Sequence, residues 1–323
     1  MGWAGYLLKR VAFAAVSIFA IVTFDFFLFR LMPGNPIQIL YRSPALSPAQ
    51  ITSLKSQFGL NLPLYQQYLL FIRNSFTGNF GISINYLQPV SQVLFPAILN
   101  SLVLLIPANI LAILLGVFAG RYAAWKRGGA ADGIITGSSM ALFSIPTFWL
   151  GGILILVAIF TGTLPVSGMY TLGAAYPSPL ARFSDLLSHL ILPLITLTLV
   201  LFGQYAVIMR NSLIDVLSED YIIFARSKGA RDAYVMRKHA MPNASLPMIS
   251  IIAVNLGNTF AGAILTEVVF SWPGIGYLIY ESILARDYPV LQAAFLIVAI
   301  AIVAANVCAD LLYSLIDPRV RYS

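Results

Sequence analysis

One stretch of the sequence concentrates charged side chains that could bind a partner. Residues 220–243 read DYIIFARSKGARDAYVMRKHAMPN, with three arginines, two lysines, a histidine and two aspartates. Covalent catalysis would instead require a nucleophile beside a base. Ser138 and Ser139 follow Gly137, but no histidine lies nearby in the sequence and the zinc-binding motif H-E-x-x-H is absent. The pattern favours binding over catalysis and predicts a protein that is not an enzyme.

The rest of the chain is too apolar for a water-soluble domain. Of its 323 residues, 59% are hydrophobic and 10% are charged, whereas soluble domains carry about 25% charged residues. The composition predicts an integral membrane protein, in which the +7 formal charge follows topology. We therefore expect no nucleic-acid partner. The single cysteine, Cys308, excludes a disulfide framework and a cysteine-clustered metal site, and we expect no metal or cofactor.

Six apolar segments are each long enough to cross a hydrocarbon core of about 30 Å as a helix. They cover residues 11–32, 97–120, 134–160, 190–209, 244–266 and 290–309. All six should be helices, because lipid cannot satisfy a free backbone amide. The first is longer than the apolar core of a cleaved signal peptide, so we expect it to be retained. The predicted fold class is all-α, with six transmembrane helices.

The basic residues predict the orientation of these spans. In this topology the charged stretch lies on the same side of the membrane as Lys9, Arg10, Arg121, Lys126, Arg127, Arg319 and Arg321. The positive-inside rule places that side, with both termini, in the cytoplasm. His189 and His239 then lie on opposite sides and cannot share a metal site. The large segment after the first helix, 33–96, becomes extracytoplasmic, and amphipathic helices are predicted within it at 47–60 and 63–76.

These boundaries divide the chain into four parts. They are an N-terminal tip with the first helix (1–32), the extracytoplasmic segment (33–96), a five-helix core (97–316) containing a cytoplasmic loop at 211–243, and a cytoplasmic tail (317–323).

Within the loop, the sequence predicts two short helices around a glycine. Leu213, Val216, Leu217, Tyr221 and Phe224 share one helical face, which predicts an amphipathic helix that continues from the fourth span until Gly229 interrupts it. A second helix should begin near Asp232, with Arg237 and Lys238 near its end. Pro242 is expected to stop this helix at the re-entry into the membrane.

Two interpretations of the loop remain open from the residues alone. With small Ala225 and Gly229 at the bend, the helix pair could dock into a groove of a soluble partner, and Arg226, Lys228 and Arg231 could pair with acidic residues there. Alternatively, the loop is solvated and is basic only because of its topology.

A few other residues stand out within the spans. Pro146, close to Ser144, should break the third span, either at a pathway-lining position or for purely structural reasons. Gly116 and Gly120 form a G-x-x-x-G pattern typical of close helix packing. Asp25 is an acid deep in the first span. It is either functional or simply neutralised by Arg30 or by a neighbouring helix.

The charged stretch resembles the cytoplasmic loop of ABC-importer permeases, in the form found in the dipeptide/oligopeptide (peptide/nickel) family: DY, then A-R-x-K-G, then H-A-x-P-N. Further segments resemble that family in the expected order: PGNP, QFGLNLPLYQQYLLFI, GNFGIS, FSIPTFWLG, TLPVSG, HLILPLITL, ILTEVVFSWPGIG, RDYPVLQ and DLLYSLIDPRVR. The usual Glu-Ala-Ala opening of the loop is absent, and residues 222–224 are unusually apolar.

The resemblance implies a type I ABC-importer permease in a bacterial or archaeal cytoplasmic membrane. It implies as partners a second homologous permease subunit, two ABC ATPase subunits (or one two-domain ATPase), an extracytoplasmic substrate-binding protein and the surrounding lipid. ATP and Mg would be bound by the ATPases, and the chain indeed lacks a G-x-x-x-x-G-K-[ST] phosphate loop. Residues matching the ATPase-coupling loop are Asp220, Tyr221, Ala225, Arg226, Lys228, Gly229, Arg231, His239, Pro242 and Asn243.

The resemblance favours di- or oligopeptides as substrate. Relatives with the same motifs carry glutathione, nickel complexes or sugars, so these solutes remain alternatives. A single-chain secondary transporter is less favoured, because such proteins place charged residues at the membrane midplane and spans two to six are nearly free of charge.

Overall fold

The computed structural model describes residues 3–31 and 61–316, together with Ser47, Ala49 and Thr52. The PGNP turn, most of the predicted helix at 47–60 and the tail at 317–323 lie outside the described residues. Within the described ranges the chain is helical between turns and loops, and an antiparallel bridge joins Ile82 to Pro89.

The helices are named here in chain order. They are α1 (Trp3–Leu31), α2 (Leu64–Thr77), α3 (Val90–Trp125), α4 (Ala130–Ser144), α5 (Thr147–Thr161), α6 (Pro179–Leu217), α7 (Asp220–Ser227), α8 (Asp232–Val235), α9 (Met241–Val269), α10 (Ile275–Ala285) and α11 (Tyr288–Ile316). Helix α2 confirms the helix predicted at 63–76.

In the described part of the chain, four helices are long and apolar enough to cross a membrane, namely α1, α3, α6 and α11. The α4–α5 pair makes a fifth candidate if its two halves count as one span. Helix α9 is 29 residues long and contains the predicted fifth span. The all-helical membrane fold is therefore confirmed in its coarse form.

The third span is not one continuous helix. Helices α4 and α5 meet at an angle of 102°. Pro146 lacks an N–H and disfavours helical backbone in the residue before it, and Ile145 is accordingly extended, with φ −78° and ψ 127°. Ser144 turns its hydroxyl back to the carbonyl of Met140, 2.8 Å away. The break predicted at Pro146 is confirmed, and it divides the span predicted over 134–160 into two helices.

Helices α3 and α6 form the most closely packed pair at the centre of the bundle. A Cβ atom added to Gly116 would lie 2.5 Å from the Cβ of Tyr205, and one added to Gly120 would collide with the backbone carbonyl of Ala206. Tyr205 is fully buried at this crossing. The G-x-x-x-G pattern therefore has the close-packing role that the sequence predicts.

Two buried carboxylates fix the end of the bundle where α10 lies. Glu267 accepts hydrogen bonds from the Ser101 hydroxyl (2.6 Å) and from the backbone N–H of Gly276 (2.7 Å) and Tyr277 (3.2 Å), in the first turn of α10. A negative charge there also complements the helix dipole. Asp287, just before α11, accepts a hydrogen bond from the Ser83 hydroxyl. Segments far apart in the chain are thereby tied together.

Candidate functional site

The candidate site is the connection between α6 and α9, called here the coupling loop (residues 218–240). Its first feature is a break in the helix between Leu217 and Asp220, which no residue pattern in the sequence predicted. Helix α6 ends at Leu217, and Glu219 is extended with φ −74° and ψ 144° before α7 begins. A helix running unbroken to Gly229 was therefore a wrong prediction. Asp220 lies in the first turn of α7, where its charge matches the helix dipole.

Gly229 ends α7 in a left-handed conformation, with φ +82°. The N–H of Gly229 donates to the carbonyl of Arg226 (2.9 Å), and the N–H of Ala230 donates to that of Ala225 (3.3 Å). These two bonds form a Schellman motif, which satisfies the last carbonyls of the helix. Glycine is needed for the backbone angle and not for space, because no atom of the described chain lies within 4 Å of a Cβ built there.

The second half of the loop continues into the next span without a break in the helix. Helix α8 is followed by a π-helical turn, Met236–Ala240, and then directly by α9. The N–H of Met241 donates to the carbonyl of Met236, five residues back. This wider turn lets the chain remain helical past Pro242, which lies two residues after the π-helical turn and has no N–H to donate. The prediction that Pro242 ends the helix is therefore wrong.

One face of the coupling loop is anchored in the bundle. Ile222 and Val235 are fully buried, and Met236 is nearly so. They belong to one cluster of buried side chains with Met209 and Leu213 of α6. Apolar burial contributes about 25 cal/mol per Å², so this face holds the loop against α6. The loop is therefore packed directly against that helix.

The opposite face of the loop is exposed and both apolar and basic. The side chains of Tyr221, Ile223, Phe224 and Tyr234 are between 42% and 61% exposed. Burial, followed by the charge of Glu219, raises the pKa of Tyr221. A surface of this composition is typical of a protein interface more than of a solvated turn.

The basic residues of the loop are partly engaged within it. Arg226 forms an ion pair with Asp232, with a closest N···O distance of 3.3 Å. The Lys228 ammonium lies 4.4 Å from the centre of the Phe224 ring. Arg231 is exposed immediately before α8. The Arg226–Asp232 pair links α7 to α8 across the bend, and Lys228 and Arg231 remain exposed.

His239 lies in the π-helical turn that ends the coupling loop, and Asn243 follows in the first turn of α9. The His239 ring makes an edge-on contact with Tyr234, with 5.6 Å between ring centres, and the Asn243 amide donates to the His239 carbonyl (2.8 Å). These contacts stabilise the turn, and neither residue is near His189, which lies beside Ser167 and Asp185. Among the described residues, no group of three or more histidine, cysteine or acidic side chains could hold a metal ion.

Asp25 lies apart from the coupling loop. It is 4% exposed in α1, with Gln292 of α11 beside it. Within the described residues its Oδ2 atom has no hydrogen-bond partner. The Arg30 Nε donates to the Gln67 Oε1 (2.9 Å), and its guanidinium lies over the Phe26 ring.

One contact of α6, close to the coupling loop in the chain, could not be predicted from the sequence. The Arg210 guanidinium of α6 binds both carboxylate oxygens of Asp132 in α4, and the Gly128 N–H donates to the same carboxylate (3.0 Å). Charge patterning along one helix could not reveal it, because the partners lie on different helices. Nearby, the Ser212 hydroxyl donates to the Ala244 carbonyl (2.9 Å) and joins α6 to α9.

Comparison with known proteins gives two family matches that together cover most of the chain. Residues 112–322 match the binding-protein-dependent transport system inner membrane component, and residues 4–89 match the N-terminal part of the same kind of membrane component.

Individual relatives match over nearly their full length. The chain is 35% identical to the dipeptide transport system permease protein of Alkalihalophilus pseudofirmus, over 98% of this chain and 99% of the relative. It is 34% identical to the dipeptide transport system permease protein of Escherichia coli, over 98% of each. It is also 34% identical to the oligopeptide transport system permease protein of Bacillus subtilis, over 99% of this chain and all of the relative.

Proposed function

The chain belongs to the family of binding-protein-dependent transport system inner membrane components, and from this premise we propose that it is the permease subunit of an ATP-driven peptide importer. The names of its relatives, dipeptide and oligopeptide transport system permeases, support peptides as the substrate class. The chain would form half of the translocation pathway. A second, homologous permease subunit would form the other half.

The observation that carries this proposal is that the coupling loop has one buried face and one exposed face. Its inner face is buried through Ile222 and Val235, and its outer face exposes apolar and basic side chains. A solvated turn needs no buried anchors, whereas a loop that transmits force needs them on one side and a docking surface on the other. The exposed face has the composition to dock on an ATPase subunit.

The proposed topology has six transmembrane helices, with α4 and α5 together as the third and α9 as the fifth. Both termini and the coupling loop lie on the cytoplasmic side, and residues 33–96 form the extracytoplasmic segment. The basic residues at the ends of the spans support this orientation. An extracytoplasmic binding protein would deliver peptide to the opposite side.

The mechanism follows from linkage between ATP binding and conformation. ATP and Mg are bound by two ATPase subunits or by one two-domain ATPase, and this chain binds no cofactor and catalyses no reaction. ATP draws the ATPases together, and each coupling loop moves with its ATPase and pulls on α6 and α9. ATP shifts the permease from inward-facing to outward-facing because it binds the two states with different affinity. Hydrolysis then resets the cycle.

The proposal is tested by purifying the tagged chain from its own membranes and identifying what remains bound by mass spectrometry. The expected result is a second permease, one or two ATPases and a peptide-binding protein. Gly229→Glu, which adds a charged side chain to the outward bend, should abolish ATPase retention while the second permease still co-purifies. ATPases retained with full peptide transport by this variant would overturn the docking role. A chain that transports alone would overturn the whole proposal.

A further inference from the structure

A groove lies beside the coupling loop, between the end of α3 and the start of α8. Its volume is about 370 Å³, within the range of sites that bind small organic molecules. It is lined by Phe118, Arg121, Tyr122, Trp125, Ala233 and Met236. Four of the six residues come from α3, so the groove follows the last two turns of that helix.

The α3 residues lie in a definite order along the helix. Phe118, Tyr122 and Trp125 are spaced by four and three residues and therefore share one face. Their side chains are 64%, 52% and 42% exposed. Phe118 lies within the predicted second span, Arg121 lies one residue beyond it, and Trp125 lies a further turn outward. An apolar ring inside the span, followed by a cation and further aromatic rings just beyond it, is the composition expected where a helix leaves the acyl chains and enters the headgroup region.

Arg121 is the cationic group of this groove. It is exposed, and within the described ranges no ion pair involves it. No acidic residue of the described chain lines the groove, and Asp132 and Asp232 of the neighbouring helices α4 and α8 form ion pairs with Arg210 and Arg226. The local charge is therefore positive and complements an anion.

We propose that this groove binds an anionic phospholipid. The phosphate lies on the Arg121 guanidinium, one acyl chain runs over Phe118, and Tyr122 and Trp125 lie at the level of the headgroup. Basic pockets at the cytoplasmic ends of membrane helices recognise such headgroups. The exposed aromatic rings favour a lipid over free phosphate, because a free anion gains nothing from the apolar wall. The inner-leaflet assignment rests on the proposed topology, whereas the lipid contact itself does not.

The first test measures lipid retention by the full-length chain in detergent, using native mass spectrometry with added phosphatidylglycerol or phosphatidylcholine. The wild type should retain phosphatidylglycerol in preference to phosphatidylcholine. Arg121→Gln should weaken phosphatidylglycerol binding by about fivefold, the effect of one cation at a lipid surface. The matched control, Lys126→Gln, removes an exposed charge five residues away that does not line the groove. It should leave binding within about twofold of wild type, because a detergent micelle presents no anionic surface to a cation outside the groove.

Equal losses in the two variants would overturn the site, because they would indicate diffuse attraction to the whole basic end. Equal retention of the two lipids by the wild type would also overturn it. Inorganic phosphate at millimolar concentration should not displace the lipid. If it did, the groove would be a free-anion site, and the proposal would be wrong.

The second test separates lipid from a protein occupant in the assembled membrane. A nitroxide is attached to Phe118→Cys in a Cys308→Ser background, since Cys308 is the only native cysteine. Its collision rates with oxygen and with a water-soluble nickel chelate are then measured in vesicles containing the co-expressed partner subunits. A lipid-lined groove gives a high rate with oxygen and a low rate with the chelate. Low rates with both reagents would indicate that another protein covers Phe118, which overturns the proposal.

Discussion

Arg210 and Asp132, which are 78 residues apart in the chain, form a bidentate salt bridge that joins α6 to the start of α4. The Arg210 Nη2 lies 2.8 Å from the Asp132 Oδ2, and its Nε binds the other oxygen. Arg210 lies two turns before α6 ends at the coupling loop. The pair therefore connects the broken third span to the helix that carries the loop.

Removal of either partner should destabilise the chain. Asp132→Asn and Arg210→Gln should each cost about 1.5–3 kcal/mol, because each breaks a charge-assisted hydrogen bond and leaves a poorly hydrated partner. The double variant should cost less than the sum of the two, since only one interaction exists to lose. Thermal unfolding of the detergent-solubilised chain provides the measurement, with Lys126→Gln as the charge-matched control for Arg210→Gln. Strictly additive losses would mean that the two side chains do not depend on each other.

A second prediction tests whether Gly229 is required for its backbone conformation or for the lack of a side chain. Its φ of +82° favours glycine, and no atom of the described chain lies within 4 Å of an added Cβ. Asparagine tolerates this conformation and valine does not. Gly229→Asn should therefore keep the end of α7 intact, whereas Gly229→Val should lose about 1–2 kcal/mol of local stability.

Hydrogen exchange at the Ala230 amide measures this difference, because that amide donates to the Ala225 carbonyl only while the Schellman motif is formed. Exchange should accelerate by roughly tenfold in Gly229→Val, the factor that corresponds to about 1.4 kcal/mol, and remain near wild type in Gly229→Asn. Equal exchange rates in the two variants would show that the left-handed backbone is not what requires glycine here.

The sequence predicts those features that depend on local pattern. Apolar length predicted the membrane helices, Pro146 predicted the break in the third span, and Gly229 predicted the end of α7. It could not predict the 102° angle between α4 and α5, because that angle is fixed by packing against other helices. The break before Asp220 was missed because Ser218 and Glu219 carry no strong turn signal. The Asp132–Arg210 pair joins distant positions on different helices, which one sequence alone does not connect.

A third prediction concerns the buried carboxylate of Glu267. It accepts three hydrogen bonds, two of them from the first turn of α10. In Glu267→Gln one oxygen becomes an NH₂ group that cannot accept, so one donor at this site is left without a partner. The expected cost is about 1–3 kcal/mol of stability.

The matched control for this substitution is Glu281→Gln, which changes a carboxylate of α10 that accepts a hydrogen bond from Tyr86 at an exposed site. Thermal unfolding and limited proteolysis of residues 271–274 should both respond to Glu267→Gln and hardly at all to Glu281→Gln. The same response in both variants would indicate a general charge effect. It would mean that the hydrogen bonds of Glu267 do not specifically hold α10 in place.

A fourth prediction compares glycines in close-packed and open positions. Gly120 lies where a Cβ would collide with the Ala206 carbonyl of α6, whereas Gly137 of α4 has no atom of the described chain within 4 Å of an added Cβ. Gly120→Ala should push α3 from α6 and cost about 1–3 kcal/mol, as overpacking does. Gly137→Ala should be neutral or should stabilise the chain by up to about 1 kcal/mol, because alanine is the better helix former. Thermal unfolding should therefore shift in opposite directions, or shift only for Gly120→Ala. A loss of stability in Gly137→Ala alone would show that α4 and not α3 makes the close contact.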